Sequence, residues 1–228
     1  MILTPALTPP VALSVSPARV ALVAPASRAI ELRNLGVEPV VVDVKRKSVD
    51  GRAAAKRLLG IRPAQLVLRP GASRVLTLRA EAERRAGPGD HQFRVLFVAR
   101  PVGAERIAVR VRLGVGIRVR VPGRAVRRVD VRGLRVRRHG DARILFVSVA
   151  NAGNVTEQLR GPLTVTLSRQ GRFVSRLRLR APRELFPGTH TVLALPYLGH
   201  ARGLVRAVVR IRLSSSARPH ERGYRIRL

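Results

Sequence analysis

The chain has 228 residues, 45 Lys and Arg against 13 Asp and Glu, a formal net charge of +32, and an apolar share of 46% with only 3% aromatic residues. Cysteine is absent, which excludes disulfide frameworks, cysteine-ligated zinc, iron–sulfur clusters and cysteine nucleophiles. The apolar residues are mainly Val, Leu, Ile and Ala and are too many for a disordered basic tail, so the chain is expected to fold, as one large domain or as two of about 100–120 residues.

Gly, Pro, Asn and Asp divide the chain at intervals of roughly 8–15 residues, and apolar residues between them recur at every second position, which is the punctuation of an all-β protein. In chain order the predicted strands of the first half are Val11 to Leu22, Ala29 to Leu35, Val40 to Val44, Gln65 to Leu68, Val75 to Leu78, Gln92 to Val98 and Ile107 to Val121. The last is the clearest. Ile107, Val109, Val111, Leu113, Val115, Ile117, Val119 and Val121 share one face, and Arg110, Arg112, Arg118 and Arg120 lie on the other with Gly114 and Gly116. Its length predicts a kink or bulge near the two glycines. Asp90-His91, after Gly87-Pro88-Gly89, reads as a turn.

The second half repeats the first. Asn34-Leu35-Gly36 recurs as Asn151-Ala152-Gly153 (151 − 34 = 117), and Pro70-Gly71 with Val75, Leu76 and Leu78 recurs at the same offset as Pro187-Gly188 with Val192, Leu193 and Leu195. The expected architecture is therefore two immunoglobulin-like β-sandwich domains in tandem, 11–122 and 126–213, joined near Pro122 to Arg128 and followed by a loosely held basic C-terminal tail, 214–228.

On these residues the first half resembles the N-terminal domain of periplasmic pilus-assembly chaperones, the PapD-like superfamily. The matching pieces occur in family order: Val15-Ser16-Pro17-Ala18-Arg19-Val20, Ile30 to Gly36, Leu68-Arg69-Pro70-Gly71-Ala72-Ser73, and the run from Ile107 closed by Arg118 to Pro122. The resemblance implies that Arg19 and Arg118 clamp the C-terminal carboxylate of a subunit. It also implies that Ile107, Val109, Val111 and Leu113 fill the subunit's open groove by donor-strand complementation. Val149-Ala150-Asn151-Ala152-Gly153-Asn154 looks more like a bacterial surface immunoglobulin-like domain than a chaperone's second domain. The two-domain layout is also similar to the WxL-interacting, peptidoglycan-binding surface proteins of Gram-positive bacteria.

No catalytic constellation accompanies these features. His91, His139, His190, His200 and His220 are isolated and lack metal-ligand spacing, and Gly114-Val115-Gly116 has Val119 where a dinucleotide fingerprint needs its third glycine. Glu81 and Glu83 read as a solvated pair, and Asn154-Val155-Thr156 fits a glycosylation sequon to which no role is assigned. Arginines are spread over nearly every strand, and most of Phe93, Phe97, Phe146, Phe173, Phe186, Tyr197 and Tyr224 read as core, so specific nucleic-acid readout is not expected. No stretch reaches the roughly 18–20 apolar residues of a membrane span. The start, Met1-Ile2-Leu3-Thr4-Pro5, lacks the features of a secretory signal, so an extracytoplasmic location, in the periplasm or at the cell surface, assumes a signal peptide preceding this sequence. Lysine occurs only at Lys45, Lys47 and Lys56; such an excess of Arg is what GC-rich codons would give.

The expectation is a non-catalytic binding protein without cofactor or metal. Its partner would be a secreted or surface protein paired by β-strand addition. The alternative is a surface protein holding peptidoglycan or another anionic cell-wall polymer through its arginine faces.

Overall fold

The period-two alternation is realised as strands throughout. A computed structural model describes residues 9–49, 57–81, 84–102, 110–140, 142–180 and 184–228, and among them the regular structure is all strand apart from 3-10 conformation at Arg57 and over Arg84–Ala86. The chain divides into two compact units, 1–124 and 125–228, each with its own core.

In the first unit β1 (Leu13–Ser16), β3 (Ala26–Asn34), β7 (Ser73–Ala80) and β5 (Leu59–Arg62) form one sheet in the order β1-β3-β7-β5. The second sheet, in the order β2-β9-β8-β4-β6, joins β2 (Arg19–Val23), β9 (Val111–Val121), β8 (Gly89–Pro101), β4 (Val40–Ser48) and β6 (Gln65–Leu68). Alternate residues point inward: Ile30 and Leu32, Leu76 and Leu78, Phe93, Val95 and Phe97, and Val115, Ile117 and Val119 are all buried. Each such side chain contributes about 1.5–3 kcal/mol relative to exposure.

The second unit is built from β10 (Val129–His139), β11 (Ala142–Asn151) and β16 (His190–Tyr197) in one sheet, with β14 (Arg172–Leu179), β13 (Leu163–Arg169), β17 (Leu204–Ile211) and β18 (His220–Arg227) in the other. A short pair, β12 (Glu157–Gln158) with β15 (Glu184–Leu185), completes it.

The 117-residue repeat extends to strand register. Arg33 faces Ser73 across β3 and β7, and Ala150 faces His190 across β11 and β16; Val40 faces Leu68, and Glu157 faces Leu185. Each second pair is the first displaced by 117. The same holds for a buried side-chain network. Asn34 Nδ2 donates to the Glu38 and Leu68 carbonyls at 2.8 and 3.2 Å while its Oδ1 accepts from Gly36 N at 2.9 Å. Asn151 makes the same three bonds, to Val155 and Leu185 carbonyls at 2.8 Å each and from Gly153 N at 2.9 Å. Gly36 and Gly153 must lack a side chain because a Cβ there would stand 2.5 Å from the Pro10 carbonyl oxygen and 2.2 Å from that of Val126.

Several expectations are corrected. The predicted strand Val11 to Leu22 is two strands in different sheets, β1 beside β3 and β2 parallel to β9, because Pro17 has no N–H with which to continue a ladder. Asp90 and His91 lie inside β8, opposite Arg120 and Val119, and form no turn. No kink or bulge occurs at Gly114 or Gly116: β9 keeps unbroken register with β8 from Val111 to Val121. The segment 214–228 is no loose tail. Ser214 N donates to the Gln158 carbonyl at 2.9 Å, Ser215 Oγ donates to buried Glu157, and β18 pairs with β17 over eight residues, burying Ile226 and Leu228 in the second core. Tyr224 adds a hydrogen bond from its hydroxyl to the Val131 carbonyl at 3.0 Å, and burial raises its phenol above the usual pKa.

Candidate partner-binding site

β9 is paired unequally along its two edges. β8 lies along the whole of one edge, while β2, only five residues long, covers the other only from Gly116 to Arg120. Among the described residues no strand pairs with that edge over Val111–Val115. Its outward N–H and C=O groups therefore form a template for an added strand. Val111 and Leu113 are half-buried and pack against the margin of the first core, on the face that continues into Val115, Ile117 and Val119. Arg110 and Arg112 occupy the opposite face and are exposed. Ile107 and Val109, the other two candidate donor positions, lie outside the described residues.

The two candidate clamp residues come together on the solvent face of this sheet. Arg19 of β2 faces Gly116 of β9, and Ala21 faces Arg118, so the two arginines are diagonal neighbours two residues apart. With strands about 4.8 Å apart and a rise of about 3.3 Å per residue, their Cα atoms are about 8 Å apart. Gly116 sits on this face, and a Cβ added there would meet no atom within 4 Å, leaving open space beside Arg19. Arg94 of β8 pairs with Gly116 across the ladder, but its side chain runs over Gly114, where an added Cβ would meet Arg94 Cδ at 3.7 Å. A carboxylate placed over Gly116 would have the guanidinium groups of Arg19 and Arg118 beside it, each able to present two parallel N–H donors.

Arg120, two residues beyond Arg118 on β9, is tied to β8. Arg120 binds Asp90 with two hydrogen bonds, Nε to Oδ1 at 2.6 Å and Nη2 to Oδ2 at 2.9 Å, and the Asp90 side chain is fully buried. Hydrogen bonding to Asp90 raises the guanidinium pKa above its ordinary value, opposed by desolvation. The pair ties the end of β9 to the start of β8.

No family model and no curated protein matches the sequence. Solved structures do match. The class 5 fimbriae chaperone CfaA aligns over 95% of this chain and 98% of its own at 14% identity with a TM-score of 0.53. A chain of a chaperone–tip adhesin complex of CFA/I fimbriae aligns over 95% and 98% at 16% identity and 0.52, and a chain of the CsuC–CsuE pre-assembly complex of archaic chaperone-usher pili from Acinetobacter baumannii over 94% and 98% at 12% and 0.50. The fold is that of the pilus chaperones.

The pilus-chaperone fold takes in both halves of the chain, which corrects the expectation that the second domain would look more like a surface immunoglobulin-like domain. Several parts of the site were not foreseen in the sequence. The open edge of β9 depends on where β2 begins and how short it is. The Asp90–Arg120 pair was hidden by the preceding Gly-Pro-Gly; the alternation His91, Phe93, Val95, Phe97 was the available signal that Asp90 already lies in a strand. His91 is buried, with Nε2 donating to the Gly87 carbonyl at 3.1 Å, and His190 hydrogen-bonds Ser148. Among the described residues no group of His, Asp or Glu could hold a metal ion, and no helix is long and apolar enough to cross a membrane. Phe173, counted among the aromatics most of which were expected in the core, is exposed.

Proposed function

We propose that this chain is a non-catalytic assembly chaperone of the periplasm that holds a secreted pilus or surface subunit by adding β9 to it. The observation that carries the reading is the half-paired β9, with a free edge over Val111–Val115 and an apolar face on the same segment. Ladder hydrogen bonds to that edge supply affinity, and alternate side chains entering the partner supply specificity. The structurally similar chaperone–tip adhesin complexes of fimbriae and Csu pili support the same reading. The test is a pull-down with tagged protein from an envelope fraction of its host, washed at about 0.5 M salt, where exposed charge contacts are screened within about 4–5 Å. A secreted subunit with an incomplete sandwich should remain bound. If everything captured is lost in the high-salt wash, strand addition is not the function.

In the same reading Arg19 and Arg118 grip the C-terminal carboxylate of the partner over Gly116. Replacing either by Ala is expected to weaken binding by roughly 10- to 100-fold, the worth of one charge-assisted hydrogen-bonded contact of about 1.5–3 kcal/mol. Lys at either position restores only part, because it keeps the charge but loses the fork. Affinities measured against a partner with a free C-terminus and the same partner amidated decide the point. An equal loss on both ligands would mean that the arginines do not read the carboxylate.

A further inference from the structure

The second domain carries a groove on the solvent face of its β14-β13-β17 sheet, far in sequence from β9 and unused by the reading above. Its origin is a size pattern across three strands. β13 turns small hydroxyl side chains outward, Thr164, Thr166 and Ser168, while β14 places Arg178 and Arg176 opposite Thr164 and Thr166. On the other flank β17 places Arg210 opposite Thr164, and Arg212 and Arg160 close one end. Long side chains on both rims over a short-chained floor leave a channel of about 490 Å³.

The charge in this channel is not neutralised internally. Glu221 pairs with Arg210 at 2.6 Å, but among the described residues Arg160, Arg176, Arg178 and Arg212 make no ion pair or side-chain hydrogen bond, and neither do the three hydroxyls. Four unpaired guanidinium groups around one channel repel one another, and an anion bound between them relieves that repulsion while the hydroxyls donate to its oxygens. Arginines two residues apart on one strand stand about 6.7 Å apart along it, so a linear polymer with repeated charge engages them together where a single small anion does not.

We propose that this groove binds a linear phosphate polymer, taken by its anionic backbone alone. The channel has no aromatic side chain on which a nucleobase could stack. Its β13 floor is hydrogen-bonded along both edges, so an acidic peptide would find no backbone ladder to join. A polymer recognised entirely through its charges loses nothing by either feature.

Long-chain inorganic polyphosphate, fluorescently labelled and titrated with the full-length protein at about 0.15 M salt, is the probe. Arg176→Gln with Arg178→Gln should weaken binding by on the order of tenfold, whereas Arg28→Gln with Arg33→Gln, an equal charge loss on exposed β3 positions of the first domain, should change it by less than about twofold. Thr164→Val with Thr166→Val leaves the net charge at +32 and the β-branched shape intact, and should cost roughly three- to fivefold. Equal losses from the two arginine pairs would overturn the proposal in favour of diffuse charge attraction. Polyglutamate bound as tightly as polyphosphate, and as sensitive to the groove substitutions, would overturn it in favour of an acidic peptide site. An unchanged affinity in the threonine variant would remove the groove floor from the site and with it the proposed geometry.

Discussion

Under the proposed strand-addition function, replacing Val111 and Leu113 together by Asp is expected to abolish binding of a secreted subunit while the protein stays folded. Both residues sit at the margin of the first core and are only half-buried, whereas Val115, Ile117 and Val119, further along the same face, carry the packing. In the complex the first two positions would be enclosed by the partner. Each then loses about 1.5–3 kcal/mol of burial on substitution, and a carboxylate enters an apolar groove with no cation to pair it. A combined loss of about 4 kcal/mol or more is a thousandfold in affinity or greater. Arg112→Gln, on the opposite face of the same strand, changes the charge and leaves the apolar row, so it should alter affinity by only a few-fold. Val111→Thr with Leu113→Thr keeps strand propensity and provides a milder variant if the aspartates disturb the fold. Binding measured by titration beside far-UV circular dichroism separates the effects, and intact affinity in a folded aspartate variant would remove β9 from the interface.

What could be read from the chain depended on whether a feature is periodic or pairwise. The alternation from Val111 to Val121 shows which side chains face the core, because the side-chain period of a strand is two whatever its neighbours are. The 117-residue offset shows that Asn34 and Asn151 are equivalent positions. Neither signal says which strands lie side by side. The sequence reads β2 as the end of one long strand, yet Val20 and Leu22 fall out of phase with Val11, Leu13 and Val15; that break, with Pro17, which cannot donate to a ladder, marks the place where the chain changes sheet. β5 was missed because Leu58-Leu59-Gly60-Ile61 has no alternation, both leucines being buried. β18 was missed because His220 to Arg227 is polar and charged apart from Tyr224 and Ile226, so most of what holds it is its ladder with β17. The donor edge is of this second kind. It exists because β2 stops pairing at Gly116, a fact about two segments about a hundred residues apart.

The asparagines of the repeat carry the largest stability effects expected at single sites. Asn34 and Asn151 are almost completely buried, and each satisfies three backbone groups at the end of a strand, two carbonyls by donating and one N–H by accepting. Ala at either position leaves those groups without partners away from water, at about 2–4 kcal/mol. Asp is nearly the same shape and should cost more than Ala. It keeps the acceptor for Gly36 or Gly153 but turns the two donated bonds into contacts between a carboxylate oxygen and carbonyl oxygens, and it buries a charge with no cation recorded beside it among the described residues. The order Asn, then Ala, then Asp, in falling stability, is the opposite of what isostery alone predicts, and denaturant midpoints of the wild type and the four variants measure it. Tyr197 and Tyr224 both lie in the second domain, so tyrosine fluorescence follows the Asn151 series directly. If Asp were tolerated better than Ala, the donated bonds to Glu38 and Leu68, and to Val155 and Leu185, would not be what these residues contribute.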